Sequence, residues 1–220
     1  MGQAIADVCA DRDDVSVVDD QCDVFVDFSA PEGLRDHLDR ALELGKPIVI
    51  GTTGLDAEQQ RMIDDAAQQI AVLQAANMSL GVNLLAHVVR QTAARLGPDW
   101  DIEIVEMHHR HKVDAPSGTA LLLGRSAAEG RGVELGLVSD RGRDGITGPR
   151  REGDIGFAAL RGGSVAGDHQ VIFASDGERI ELGHRAESRT IFARGVVEAA
   201  LWIEDKPAGR YSMNDVLGLT

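Results

Sequence analysis

The stretch "PIVIGTTGLDAEQQRMIDDAAQQIAVLQAANMS", Pro47 to Ser79, decides the fold. Two short apolar runs, "PIVI" (47–50) and "IAVLQ" (70–74), flank a segment of amphipathic helical character, and Asp56 stands where that helix needs an N-cap. Strand, helix and strand in this order form a βαβ unit, which pairs its strands in parallel. Towards the N-terminus, "DVFVDF" (23–28) reads as a further strand. Ser29 and Glu32, three places apart, read as a capping box opening a helix to about Leu44, which Gly45 closes. "QAIADVCA" reads as a helix and "VSVV" (15–18) as a short strand. Beyond Ser79 a longer helix crosses "GVNLLAHVVRQTAARLG". The class is α/β, with a Rossmann-like parallel-sheet domain.

Strand carboxyl ends share one edge of such a sheet, and ligands bind in the crevice beside that edge. "SAPE", "GTTG" and "AANMS" each follow a strand, so three loops of small residues converge there. From Asp101 the character changes. "DIEIVEM" alternates with period two, as a half-buried strand does. A helix covers "TALLLGRSAAEG", and residues 141–154 form a loop without apolar periodicity. "IGFAALRGGSVAGDHQVIFASDGERIELGHRAES" divides into β-prone runs at Gly-Gly, Ala-Gly and Asp-Gly turns, the pattern of an antiparallel meander. The last helix, "RTIFARGVVEAALWIED", is expected to pack back on the first domain. Residues 1–77 and 191–220 are thus expected to make one domain around the parallel sheet. Residues 78–190 are expected to make a second, an α+β domain with a mostly antiparallel sheet.

The composition bounds the partners. The 220 residues carry a formal charge of −14, so neither nucleic acid nor an anionic membrane is expected as a partner. Aromatics make up only 4%, which leaves the core to Ala, Val, Leu and Ile. Cys9 and Cys22 have no metal or disulfide spacing, and the first residues carry acids where a secretory signal needs a cationic start. A cytoplasmic protein is expected.

Against that acidity, "HHRHK" gathers three histidines, an arginine and a lysine at positions 108–112, at the end of a strand. "APSGTA" follows, and its Ser117, Gly118 and Thr119 occupy a helix N-terminus, where unbonded N–H groups and the helix dipole favour an anion. With Arg110 and Lys112 nearby, a small dicarboxylate is the natural guest. Histidine supplies a proton near neutral pH, and a lysine crowded by cations is a second donor. A solvated basic patch is the alternative. Zinc on His108, His109 and His111, as in a metal-dependent hydrolase, is disfavoured because no cysteine joins them and cations adjoin them, so no metal is expected.

"VEMHHRHKVDAPSGTA" resembles the signature of the 4-hydroxy-tetrahydrodipicolinate reductase (dihydrodipicolinate reductase) family. "DVFVDFSAPEG", "IVIGTTG", "AANMSLGVN", "GDIGFAALRGGSVAGDHQVIF" and "GERIELGHRAESRTIFARG" are similar to its other blocks, in the same order. The resemblance implies hydride transfer from NADH or NADPH to a cyclic hydroxylated dicarboxylate, with loss of water, in lysine and diaminopimelate biosynthesis. It implies that His108 donates and accepts a proton, that Lys112 is a second donor, and that His109, Gly118 and Thr119 hold the carboxylates. Gly51, Thr52, Thr53, Ala75, Ala76, Asn77 and Met78 would line the cofactor. The resemblance also implies that residues 1–77 and 191–220 are the dinucleotide-binding domain, that residues 78–190 serve substrate binding and oligomerisation, and that a homotetramer is built through the Gly-turned strands. "MGQAIADV" is similar only to the end of the family's glycine fingerprint and the helix after it, with Gly2 as its remnant. A second gap falls between "VSVV" and "DDQCDVFVDF", at the family's ribose-reading region. The alternative these departures raise is a dicarboxylate-binding or scaffold homologue deficient in cofactor.

Overall fold

The computed structural model describes residues 1–18 and 21–219. The second gap inferred above adjoins Asp19 and Asp20, which lie outside the described residues. The chain divides into two compact units, one of residues 1–83 with residues from 190 onward, the other of residues 84–189.

The first unit opens with helix α1 (Gly2–Ala10), strand β1 (Phe25–Asp27), a 3₁₀ turn (Pro31–Gly33) and α2 (Leu34–Leu44). It continues through β2 (Ile48–Ile50), α3 (Ala57–Ala66), β3 (Ala71–Gln74) and the start of α4 (Leu80–Leu96). The second unit holds β4 (Asp101–His108), α5 (Gly118–Gly130), a short α6 (Leu135–Val138), β5 (Ser139–Asp140), β6 (Ile155–Arg161), β7 (Gly167–Ser175) and β8 (Glu178–Ala186). The chain then returns to the first unit with α7 (Thr190–Ile203), β9 (Gly209–Tyr211) and α8 (Met213–Val216).

In the first unit β1, β2, β3 and β9 lie side by side, all parallel. Successive strand residues point to opposite faces, and both faces are buried. Val49 and Leu73 pack towards α1 and α7, with Ile5, Val8, Val196 and Ile203. Ile48, Ile50 and Val72 pack towards α2 and α3, with Leu34, Leu38 and Ile63. Each such side chain contributes about 1.5–3 kcal/mol on burial. α3 is capped as its sequence predicts: Asp56 Oδ1 accepts the Gln59 N–H at 2.8 Å, and the Asp56 N–H donates to Gln59 Oε1 at 2.9 Å. Gly45 closes α2 in the left-handed conformation, at φ 60°.

Two local expectations are corrected. "VSVV" forms no strand, and Val17 and Val18 are exposed. β-prone residues make a strand only with a neighbour to pair with, and the sheet's edge on this side is β1. Ser29 and Glu32 form no capping box. The Ser29 N–H donates to Asp27 Oδ1 and its hydroxyl to the Ala30 carbonyl, and a 3₁₀ turn comes before α2.

The second unit's sheet runs β5-β6-β4-β7-β8. β7 and β8 form the expected antiparallel hairpin, turned at Asp176-Gly177 with Gly177 at φ 86°. β6 does not join them as a meander. It pairs in parallel with β4, which inserts between β6 and β7. Ile102, Ile104, Ile155, Phe157, Val171 and Phe173 form the core, against Ala120, Leu123 and Ala127 of α5. The loop before β6 is pinned by Arg150, which binds Asp101 and Glu103 at 2.7 and 2.9 Å. Among the described residues no helix is long and apolar enough to cross a membrane.

Candidate functional site

β4 buries alternate residues, so Glu106 and His108 follow Ile102 and Ile104 on the face turned to α5. The core face of a strand thus ends in a carboxylate and an imidazole, both nearly inaccessible. His108 Nδ1 lies 2.6 Å from Glu106 Oε2. An ionised carboxylate has no proton to give, so the Nδ1–H donates and the Glu106 oxygen accepts. Arg161, at the end of β6, forks onto both Glu106 oxygens at 2.8 Å, and a third N–H from it reaches the Asp114 carbonyl at 2.7 Å. The Ser117 backbone N–H donates to Glu106 Oε1 at 3.1 Å. Burial alone would raise the Glu106 pKa, but Arg161, His108 and the Ser117 amide together hold it below the ordinary carboxylate range.

Ser117 also caps α5. Its Oγ accepts the Ala120 N–H at 3.1 Å and lies 2.9 Å from His169 Nε2. Burial pushes the His169 imidazole down to about 4, and the charge of His108 adds to this. His169 therefore stays neutral at physiological pH, edge-on to His108 at 5.1 Å between ring centroids. The Leu121 N–H goes to the Ser117 carbonyl. The Gly118 N–H, one place past the cap, has no partner among the described residues. A Cβ built on Gly118 would meet nothing within 4 Å. An open amide beside open space at a helix N-terminus suits an oxyanion.

Lys112 pairs with Asp114 at 2.7 Å and holds that carboxyl below its usual range. The sequence carries Asp114 two places past Lys112, but the pairing itself is shown only by the fold. His109 is half-buried, 6.3 Å from the exposed His111 between ring centroids. Its backbone N–H donates to the Val165 carbonyl at 2.8 Å.

In the first unit, the loops after β1, β2 and β3 lie along one sheet edge, because these strands are adjacent and parallel. Their roots are joined: the Gly51 N–H reaches the Asp27 carbonyl at 2.8 Å, and the Ala75 N–H the Ile50 carbonyl at 3.1 Å. Buried Asp27 accepts from the Ser29 amide and from the Thr52 hydroxyl, the latter at 3.1 Å. Asn77 Oδ1 accepts the Ser79 N–H at 2.9 Å. Thr53 and Ala76 are exposed, and Ala75 and Asn77 are half-buried. Met78 is buried in the core beside α7, and its backbone carbonyl lies against Gly195 of that helix. A Cβ on Gly51 would overlap the ring of Phe28, which explains that glycine by packing.

The dihydrodipicolinate reductase family matches over both parts of the chain, its N-terminal portion over residues 1–78 and its C-terminal portion over residues 81–217. The chain belongs to this family. The 4-hydroxy-tetrahydrodipicolinate reductase of Zymomonas mobilis is 65% identical over 197 residues, covering 90% of this chain and 78% of that protein. That of Parvibaculum lavamentivorans is 57% identical over 212 residues, covering 96% and 78%. Among solved structures, a dipicolinate-bound dihydrodipicolinate reductase from Paenisporosarcina sp. TG-14 aligns with a TM-score of 0.70 at 28% identity, over 86% of this chain and 71% of that one. Such identity speaks for a reductase rather than a cofactor-deficient homologue.

Within the second unit, the structure brings together His108, Ser117, His169 and Glu106, with Arg161 behind them. Glu106, Arg161 and His169 escape a reading of the HHRHK motif. The signal for Glu106 was present, since a residue two places before His108 shares its strand face. Arg161 and His169 carry no such signal, because strand pairing across 55 and 63 positions leaves no local trace.

Proposed function

We propose that this chain reduces 4-hydroxy-tetrahydrodipicolinate to tetrahydrodipicolinate with NADH or NADPH, in lysine and diaminopimelate biosynthesis. The observation that supports this most is the buried Glu106–His108 pair beside the open Gly118 amide, in a chain 65% identical to a 4-hydroxy-tetrahydrodipicolinate reductase. The first unit is the dinucleotide-binding domain, and the second binds substrate. Reduced nicotinamide, when bound, supplies the hydride. The first unit's loop edge suits such a group: Thr53 and Ala76 are small and exposed, and no charged side chain stands among Gly51, Thr52, Thr53 and Ala75 to Met78.

In the second unit, the Gly118 and Thr119 positions at the head of α5 and the His109 side chain receive the substrate's two carboxylates. Dipicolinate, the ring dicarboxylate bound to the Paenisporosarcina relative, has the shape and charge this arrangement accepts. His108 delivers and withdraws the proton, its Nδ1–H fixed by Glu106 so that Nε2 is the working nitrogen. Lys112 is the second donor and stabilises negative charge that develops on the ring. The enzyme works in the cytoplasm, consistent with free Cys9 and Cys22. It assembles as a homotetramer through the sheet face opposite α5, where Val105, Met107 and Leu160 line an open cleft. The test is oxidation of NADH and NADPH by the purified chain in the presence of substrate. Pyridine-2,6-dicarboxylate should inhibit competitively with the dicarboxylate. Absence of turnover with both cofactors would overturn the assignment. Light scattering would report four copies.

A further inference from the structure

Glu106 is an expensive residue to place where it stands. It occupies a core position of the central strand at 1% exposure, next in line after Ile102 and Ile104. A buried ion pair seldom stabilises a fold better than apolar side chains of the same volume. Four donors nevertheless converge on this one carboxylate, from three places in the unit: His108 on its own strand, two N–H groups of Arg161 on β6, and the Ser117 amide ahead of α5.

The allocation of its oxygens is specific. Oε2 holds the imidazole that carries the proton, and Oε1 holds the amide one place before Gly118. Arg161 touches both oxygens, which prevents the carboxylate from rotating. His169, the other imidazole against this group, turns its Nε2 to Ser117 Oγ and leaves Glu106 to His108. A Cβ on Gly167 would come within 3.0 Å of His108 Nε2, so the glycine there leaves that nitrogen uncrowded.

We infer that Glu106, clamped by Arg161, is a positioning residue that sets the imidazole of His108 and the anion-binding head of α5 at a fixed distance from one another. This rests on the reading of His108 as the proton carrier. Glu106 touches no substrate. It acts through His108 on turnover and through Ser117 on substrate affinity.

The experiment uses the whole chain with ¹⁵N-labelled histidine. In the parent enzyme the His108 signal, assigned by its loss in His108→Gln, reports a proton on Nδ1. Glu106→Gln is expected to lower kcat roughly 10²-fold, as loss of a partner that orients a working histidine does. It should also raise the substrate KM about tenfold through the loosened Ser117 amide. The His108 signal changes its protonation pattern, while affinity for the dinucleotide stays as in the parent. Arg161→Met should lower kcat about tenfold and broaden the same signal. Arg161→Lys restores part of the loss, and this pair carries the test if Glu106→Gln does not fold. A merely structural role would reduce the active fraction and leave KM and the His108 signal of the folded protein unchanged, which overturns the inference. So does parental kcat in Arg161→Met with an unaltered signal. Parental turnover in His108→Gln instead sinks the reading of His108 itself, and the inference falls with it.

Discussion

Gly51 and Gly118 were both expected at a ligand, and the fold treats them differently. At Gly51, after β2, a side chain would overlap the Phe28 ring, so the missing Cβ is filled by the protein itself. At Gly118, the first residue of α5, a side chain would meet nothing within 4 Å. A glycine that its own fold requires says little about ligands. One that its fold does not require, beside an amide without a partner, points outward. The same contrast extends to their surroundings. The first unit's edge is built from backbone and small neutral side chains, while the site on β4 is built from buried charge.

Four measurements would break or sharpen this contrast. His108→Gln should lower turnover by about 10²- to 10⁴-fold, the usual range for a general acid or base, with the fold retained by circular dichroism. Unchanged turnover would remove the chemistry from the charged region. Gly51→Ala should cost about 1–3 kcal/mol of stability through overpacking, read as a lower urea midpoint. A parental midpoint would mean that Phe28 has another place to go.

The third concerns pH. His169 titrates at about 4 in the fold, whereas an unfolded histidine titrates near 6.5. Above that value both states are neutral and the group has no effect. As the pH falls towards 4 only the unfolded chain takes up the proton, so stability falls, by about 2 kcal/mol at pH 5. Glu106, with its lowered pKa, keeps its own contribution throughout this window and loses it only at lower pH. Urea midpoints at pH 7 and pH 5 should separate accordingly in the parent and much less in His169→Gln. Equal separation in both would contradict a buried neutral imidazole. Smallest is Gly118→Ala, which should raise the substrate KM about tenfold, on the order of 1.4 kcal/mol, without moving the urea midpoint. A lowered midpoint with unchanged KM would make the two glycines alike.

The parallel sheet of the first unit is legible in the sequence because β2 and β3 are short apolar runs buried on both faces and bounded by turn residues. Asp56 is legible because a cap is a local bond. Ser29 misleads for the converse reason: its partners are chosen by Asp27, which is buried by the tertiary fold. In the second unit the strands themselves can be read, but not that β4 slips between β6 and β7, since pairing order depends on the packing of the whole sheet. The HHRHK motif marks the candidate site, yet the groups that hold it, Arg161 and His169, belong to strands whose neighbours the sequence does not declare.

β4 at the centre of its sheet has a consequence for how the protein comes into being. During synthesis the motif emerges long before β6 and β7, whose residues must close over it from either side. Until both dock, Glu106 has no clamp and His169 no place against Ser117, so a chain interrupted after α5 would carry every residue of the motif and none of its alignment. That alignment arrives only with these long-range pairings, the slow kind of step in folding, so the proposed proton carrier is held in register only in the finished chain.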